Sequence, residues 1–113
     1  MLRWGILGTA RINRRLIPAL RLARRSQLVA VASRTQARAD AYAAEWEIPR
    51  AFAGYQALLD DPGIDAVYVS LPNSEHVPWT LAAVAAGKHV LCEKPMALAA
   101  TDIDRIQAAA TAA

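Results

Sequence analysis

Two clusters in this sequence have residue types and spacing suited to holding a phosphorylated ligand. The first is the turn Gly8-Thr9-Ala10-Arg11-Ile12-Asn13, which follows the apolar run Leu2–Leu7. A strand that ends in glycine and opens into a helix points free backbone N–H groups at an anion, and the helix dipole adds attraction. The fingerprint for a dinucleotide pyrophosphate at such a turn is G-x-G-x-x-G/A. Only the first glycine is present; Ala10 stands at the second position and Asn13 at the third. Gly8 permits the tight turn. Ala10 adds one methyl where the backbone meets the ligand, and the bulkier Asn13 requires different helix–strand packing. A lone glycine also makes an ordinary tight turn. Its place in the first unit of an alternating strand–helix series is what favours a dinucleotide.

The second cluster is Ser33-Arg34-Thr35 at the end of the second apolar run, with Arg38 one helical turn further on. An NAD site usually carries a carboxylate about 20 residues after the glycine turn, to hold the ribose hydroxyls. Here the next acid is Asp40, inside the following helix. A planar cation beside two hydroxyls suits a 2′-phosphate, so the pattern points to NADP, with NAD possible. The alternative is that Arg34 and Arg38 are solvated surface side chains.

These clusters need a scaffold, and the hydropathy pattern supplies one. Apolar runs at Leu2–Leu7, Leu28–Ser33, Ala66–Leu71 and His89–Cys92 read as strands, with a short edge strand at Ala51–Ala53. Nearly continuous apolar runs suit a parallel sheet covered on both faces. Helices are expected over Arg11–Arg25, from Thr35 to Trp46, over Tyr55–Leu59, up to Ala86 and over Ala100–Ala112. Pro18 falls inside the first, Pro78 is expected in the first turn of the fourth, and Gly87 ends that helix. Strands alternating with helices predict an α/β doubly wound parallel sheet of about five strands, with helices on both faces.

Bulk properties narrow the function further. The chain has 113 residues, 55% hydrophobic and 20% charged, which suits one folded domain, residues 1–113, rather than a disordered segment. Net charge is +3. Arg11, Arg14, Arg15, Arg21, Arg24 and Arg25 gather on one helix side, opposite Ile12, Leu16, Ala19, Leu20 and Ala23. With no aromatic residues among them to stack bases, they read as a solvated helix face rather than a nucleic-acid site. Neither a membrane span nor a signal-peptide layout is expected. The single cysteine, Cys92, excludes an internal disulfide and reads as a small buried side chain in a cytoplasmic protein. No metal site is expected around it.

Three later segments carry a family resemblance: Asp65 to His76, with Leu71-Pro72-Asn73-Ser74-Glu75-His76; Ala86 to Cys92; and Glu93-Lys94-Pro95. In series they resemble the N-terminal Rossmann domain of the Gfo/Idh/MocA family (glucose–fructose oxidoreductase / inositol dehydrogenase). The opening Gly5-Ile6-Leu7-Gly8 and the Ser33-Arg34 pair are similar to its NADP-dependent sugar dehydrogenases. The resemblance implies that Gly8, Thr9, Ala10, Arg11 and Ile12 line the pyrophosphate, and that Ser33, Arg34 and Arg38 hold the 2′-phosphate. It implies that Leu71, Pro72, Asn73 and His76 border the nicotinamide half. Glu93 and Lys94 would lie at the nicotinamide ribose, with Pro95 fixing the loop. Lys94 matches the family lysine that assists proton transfer at a sugar or polyol hydroxyl. Asn73 also suits a helix cap, His76 a structural hydrogen bond, and Lys94 an ordinary loop position.

The family pattern continues into a sixth strand and a substrate domain, so the chain is expected to end before both. Alone it is expected to bind NADP without turning over a sugar, and to form a homo-oligomer through an uncovered sheet edge. A stand-alone non-catalytic dinucleotide module, or a self-associating fold fragment, remains the alternative.

Overall fold

The computed structural model describes residues 2–9, 13–23, 25–71 and 73–91, apart from the side chains of residues 15, 73, 74 and 76. The elements in chain order are β1 (Leu2–Leu7), α1 (Asn13–Leu22), β2 (Ser26–Ser33), α2 (Gln36–Trp46) and β3 (Arg50–Ala53). They continue with α3 (Tyr55–Leu59), β4 (Ala66–Val69), α4 (Asn73–Ala85) and β5 (His89–Leu91). The five strands form one sheet in the order β3-β2-β1-β4-β5, and every neighbouring pair is parallel. The fold is therefore Rossmann-like α/β, as the alternating pattern predicts.

Both sheet faces are dry, which explains the near-continuous apolar strands. On one face Trp4, Ile6, Leu28, Val31 and Tyr68 pack with Leu16, Ile17 and Leu20 of α1 and Ala43 of α2. On the other, Leu7, Ala30, Ala32, Val67 and Val69 pack with Leu58 and Leu59 of α3 and Ala83 of α4. Strand side chains alternate faces, yet Leu28 and Val31 share one. The β1–β2 register explains this: Trp4 pairs with Leu28 and Gly5 with Ala30, so one extra residue in β2 switches the alternation.

Local chemistry sets most boundaries where expected. Thr35 Oγ1 accepts the Arg38 N–H and caps α2, and Glu47 ends it in the left-handed region at φ 55°. Several boundaries differ from the sequence reading, among them the end of β4, which stops at Val69 rather than Leu71. The first helix stops at Leu22, short of Arg25, because the Arg25 carbonyl already accepts the Leu2 N–H at 2.7 Å. The second strand starts two residues early at Ser26, whose hydroxyl accepts the Trp4 indole N–H at 3.2 Å. The fourth helix starts at Asn73, so Pro78 lies past its first turn. The expected helix over Ala100–Ala112 and residue Cys92 fall outside the described residues. No helix among the described residues is long and apolar enough to cross a membrane.

The end of the sheet away from the glycine turn is fastened by charge. Asp65 accepts from Arg3 Nε at 3.0 Å, Nη2 at 3.1 Å and the Arg3 backbone N–H at 2.9 Å. Asp61 pairs with Arg50, and Lys88 Nζ donates to the Asp61 and Ile64 carbonyls. The Arg3 hydrogen bonds hold the Asp65 carboxyl below its ordinary 3.8, and Arg50 does the same for Asp61. A depressed carboxylate contributes stability that is present above the unfolded value and lost as pH falls through the folded one. Melting temperature should thus decline as pH drops below about 4. An Asp65→Asn chain should melt lower at neutral pH and show a flatter acid limb. An unchanged limb in that variant would remove Asp65 from the account.

Candidate functional site

In an open parallel sheet the ligand crevice lies at the carboxyl ends of the strands where the order reverses. Here the reversal occurs at β1, flanked by β2 and β4. Beyond β1 the chain turns at Gly8, whose φ is 102°. Its N–H donates to the Ala32 carbonyl at 3.0 Å, extending the ladder one residue past the strand.

Asn13 explains how the turn does without the fingerprint's third glycine. It is fully buried, and its side-chain amide donates to the Gly8 carbonyl at 3.1 Å. The first helical residue therefore pins the turn where a glycine would merely permit close packing. Its Oδ1 and the Tyr42 hydroxyl are both buried and have no hydrogen-bond partner among the described residues. Burial raises the Tyr42 pKa, with Asn13 opposing. Across the turn, Ser70 donates both its N–H and its hydroxyl to the Leu7 carbonyl, each at 3.0 Å. This ties the end of β4 to the end of β1.

Between these strand ends lies an open cleft of about 330 Å³. Gly8, Thr9, Ser70 and Leu71 form its base, and Ser33, Arg34 and Arg38 one wall. Tyr55 and Glu75 complete the lining. Ser33 is buried, whereas Arg34 and Arg38 are exposed. Arg34 Nη2 donates to Glu75 Oε2 at 3.0 Å. This hydrogen bond, then one to Tyr55, raises the Arg34 pKa, so the guanidinium stays cationic.

The structure thus gathers six of the residues singled out from sequence: Gly8, Thr9, Ser33, Arg34, Arg38 and Leu71. Asn73 opens α4 and His76 lies in its first turns, at the same end of the sheet. Ala10, Arg11, Ile12, Pro72, Glu93, Lys94 and Pro95 fall outside the described residues, the expected proton-transfer lysine among them. Sequence reasoning missed Tyr55, Ser70 and Glu75 as lining residues and Asn13 as the pin of the turn. The signal for Asn13 was present, an amide at the glycine position of a helix start. Nothing local marks Tyr55 or Glu75, which reach the cleft only through the crossover topology.

Comparison with known proteins agrees with this geometry. Residues 2–113 match the Gfo/Idh/MocA model, described as an oxidoreductase family with an NAD-binding Rossmann fold. A D-xylose 1-dehydrogenase (NADP(+)) of Haloferax volcanii is 49% identical over 100 residues, covering 88% of this chain and 30% of that protein. A dTDP-3,4-didehydro-2,6-dideoxy-α-D-glucose 3-reductase of Saccharopolyspora spinosa is 47% identical over 105 residues, 92% of this chain and 31% of the other. Among solved structures, a 3-ketoreductase from Actinomadura kijaniata in complex with TDP-benzene and NADP superposes with a TM-score of 0.76 at 38% identity. That match covers 98% of this chain and 35% of the ketoreductase. The chain spans about a third of the length of these relatives. The strand order, the glycine turn at its reversal and the full-length family match together make the chain a member of the Gfo/Idh/MocA oxidoreductase family, and its NAD(P)-binding Rossmann domain.

Proposed function

We propose that this domain is the cofactor half of an NADP-preferring oxidoreductase that moves hydride between the nicotinamide and a sugar or polyol carbon. The observation that carries the cofactor choice is the pairing of buried Ser33 with cationic Arg34 on the cleft wall, at the end of β2. A ribose 2′-phosphate is matched there by a hydroxyl and a planar guanidinium, with Arg38 as a second cation. The residues at the turn fit a pyrophosphate: Gly8 and Thr9 line the cleft base, and Ala10, Arg11 and Ile12 continue the same loop in sequence.

The nicotinamide, when bound, supplies hydride acceptance or donation. In this reading Leu71, Pro72, Asn73 and His76 border it, Glu93 and Pro95 shape the loop at its ribose, and Lys94 Nζ moves the substrate hydroxyl proton. A lysine near a cationic ring has its charge tuned toward that acid–base role. The carbohydrate substrate class draws support from relatives described as a D-xylose dehydrogenase and a dTDP-sugar reductase. The single Cys92 fits a reducing, cytoplasmic setting.

Fluorescence titration of NADPH and NADH against the parent chain and Arg34→Ala tests the cofactor choice. A lost charge-assisted hydrogen bond is worth about 1.5–3 kcal/mol, so NADPH affinity should fall by about 10-fold or more. NADH affinity should change by less than about two-fold. Equal losses for both cofactors would sink the 2′-phosphate assignment.

A further inference from the structure

Among the described residues Glu75 is the one acidic side chain lining the cleft, and it faces the cation assigned to the phosphate. It belongs to the first turn of α4, where the helix dipole favours a carboxylate. Its side chain is 29% exposed against 65% for Arg34, so the carboxylate is the sheltered partner and the guanidinium the more solvent-accessible one. Tyr55 packs edge-on against Trp79, one turn beyond Glu75, with ring centroids 5.2 Å apart.

An adenosine 2′-phosphate brings roughly two negative charges to the guanidinium, within a few ångströms of this carboxylate. A plain ribose hydroxyl brings none. Arg34 is thus balanced internally when the ligand is uncharged at that position, and faces two anions when it is not. We propose that Glu75 is a built-in counter-anion that competes with the 2′-phosphate for Arg34, and so sets how strongly the domain discriminates NADP from NAD. The inference rests on the NADP reading above and deepens it. Glu75 lowers the preference that Ser33 and Arg34 create, and leaves the site open to both cofactors.

Calorimetric titration of 2′,5′-ADP and 5′-AMP isolates the adenosine end from the rest of the cofactor. It is run on the parent chain, Glu75→Gln, Arg34→Ala and the double variant, each first shown to melt cooperatively. Glutamine keeps the length and an acceptor oxygen but removes the charge. Glu75→Gln should tighten 2′,5′-ADP by about 3–10-fold and change 5′-AMP by less than about two-fold. Without Arg34 the gain should shrink below about two-fold, because there is nothing left to compete for. Weaker 2′,5′-ADP binding in Glu75→Gln would overturn the proposal, since Glu75 would then be orienting Arg34. Parallel changes for both nucleotides would overturn it too, leaving Glu75 a shaper of the cleft. The Arg34→Ala comparison reads the NADP assignment independently of Glu75. If that variant keeps the parent's preference for 2′,5′-ADP, both readings fall; if only the Glu75→Gln arm fails, the NADP reading stands.

Discussion

Replacing Gly8 by alanine should cost about 2–3 kcal/mol of stability and remove most dinucleotide affinity. Two causes add. The φ of 102° is one that L side chains rarely adopt. The new Cβ would also lie 2.9 Å from Leu71 Cδ2, 3.1 Å from the Ser70 carbonyl oxygen and 3.2 Å from Ser70 Oγ. The Leu71 methyl can move, but the Ser70 carbonyl is backbone of a residue whose N–H and hydroxyl are both tied to the Leu7 carbonyl. Relief must come from the turn itself, which shifts the N–H groups meant for the pyrophosphate. For a domain of this size the melting temperature should fall by roughly 8–20 °C. Affinity for NADPH should drop by more than about 10-fold even at temperatures where the variant is folded. Gly87→Ala provides the control. Gly87 also has positive φ, 77°, but a Cβ there meets nothing within 4 Å. That variant should lose about 1 kcal/mol and no affinity. If Gly8→Ala binds as tightly as Gly87→Ala, the turn is not the phosphate site.

Trp4→Ala should be more damaging to the fold, at about 3–5 kcal/mol. Trp4 is 1% exposed, central in β1, and packs with α1 and the neighbouring strands. A domain of this length has only about 5–15 kcal/mol to lose, so the variant gives up a large share of its stability and should melt well below the parent. Trp4→Phe keeps the ring but gives up the indole N–H bond to Ser26, and should cost about 1–2 kcal/mol. Urea titrations of all three chains, followed by circular dichroism, separate the cases. A Trp4→Ala midpoint matching that of Trp4→Phe would show that the cavity collapses and that burial is not the main term.

The strands and their parallel arrangement were legible because burial on both faces writes long apolar runs into the sequence. Leu2–Leu7 coincides with β1, and Tyr55–Leu59 with α3. The boundaries that moved did so through tertiary contacts. Arg25 is drawn from the helix by the Leu2 N–H, and Ser26 into the sheet by Trp4. The extra residue in β2 was invisible because Leu28, Val29, Ala30 and Val31 are all apolar, so a change of alternation leaves no mark. At the cleft, Gly8, Ser33 and Arg34 were found because each ends a strand or directly follows one. Glu75 was not, because its meaning depends on Arg34, which lies 41 positions earlier and meets it only in the folded chain.

The strand order also bears on how the chain is made. Of the five strands β1 is synthesised first, and it is the central one in the sheet. One of its sides is satisfied early by β2, but the other waits for β4; Arg3 and its partner Asp65 are 62 positions apart. At about 5–20 residues per second, that interval lasts roughly 3–12 s on the ribosome. Throughout it Trp4 and Ile6 have no β4 to lie against, and the open flank of β1 is a template for any other extended chain. The arrangement that places the glycine turn at the reversal of the sheet therefore makes the nascent domain's most aggregation-prone edge its own future centre.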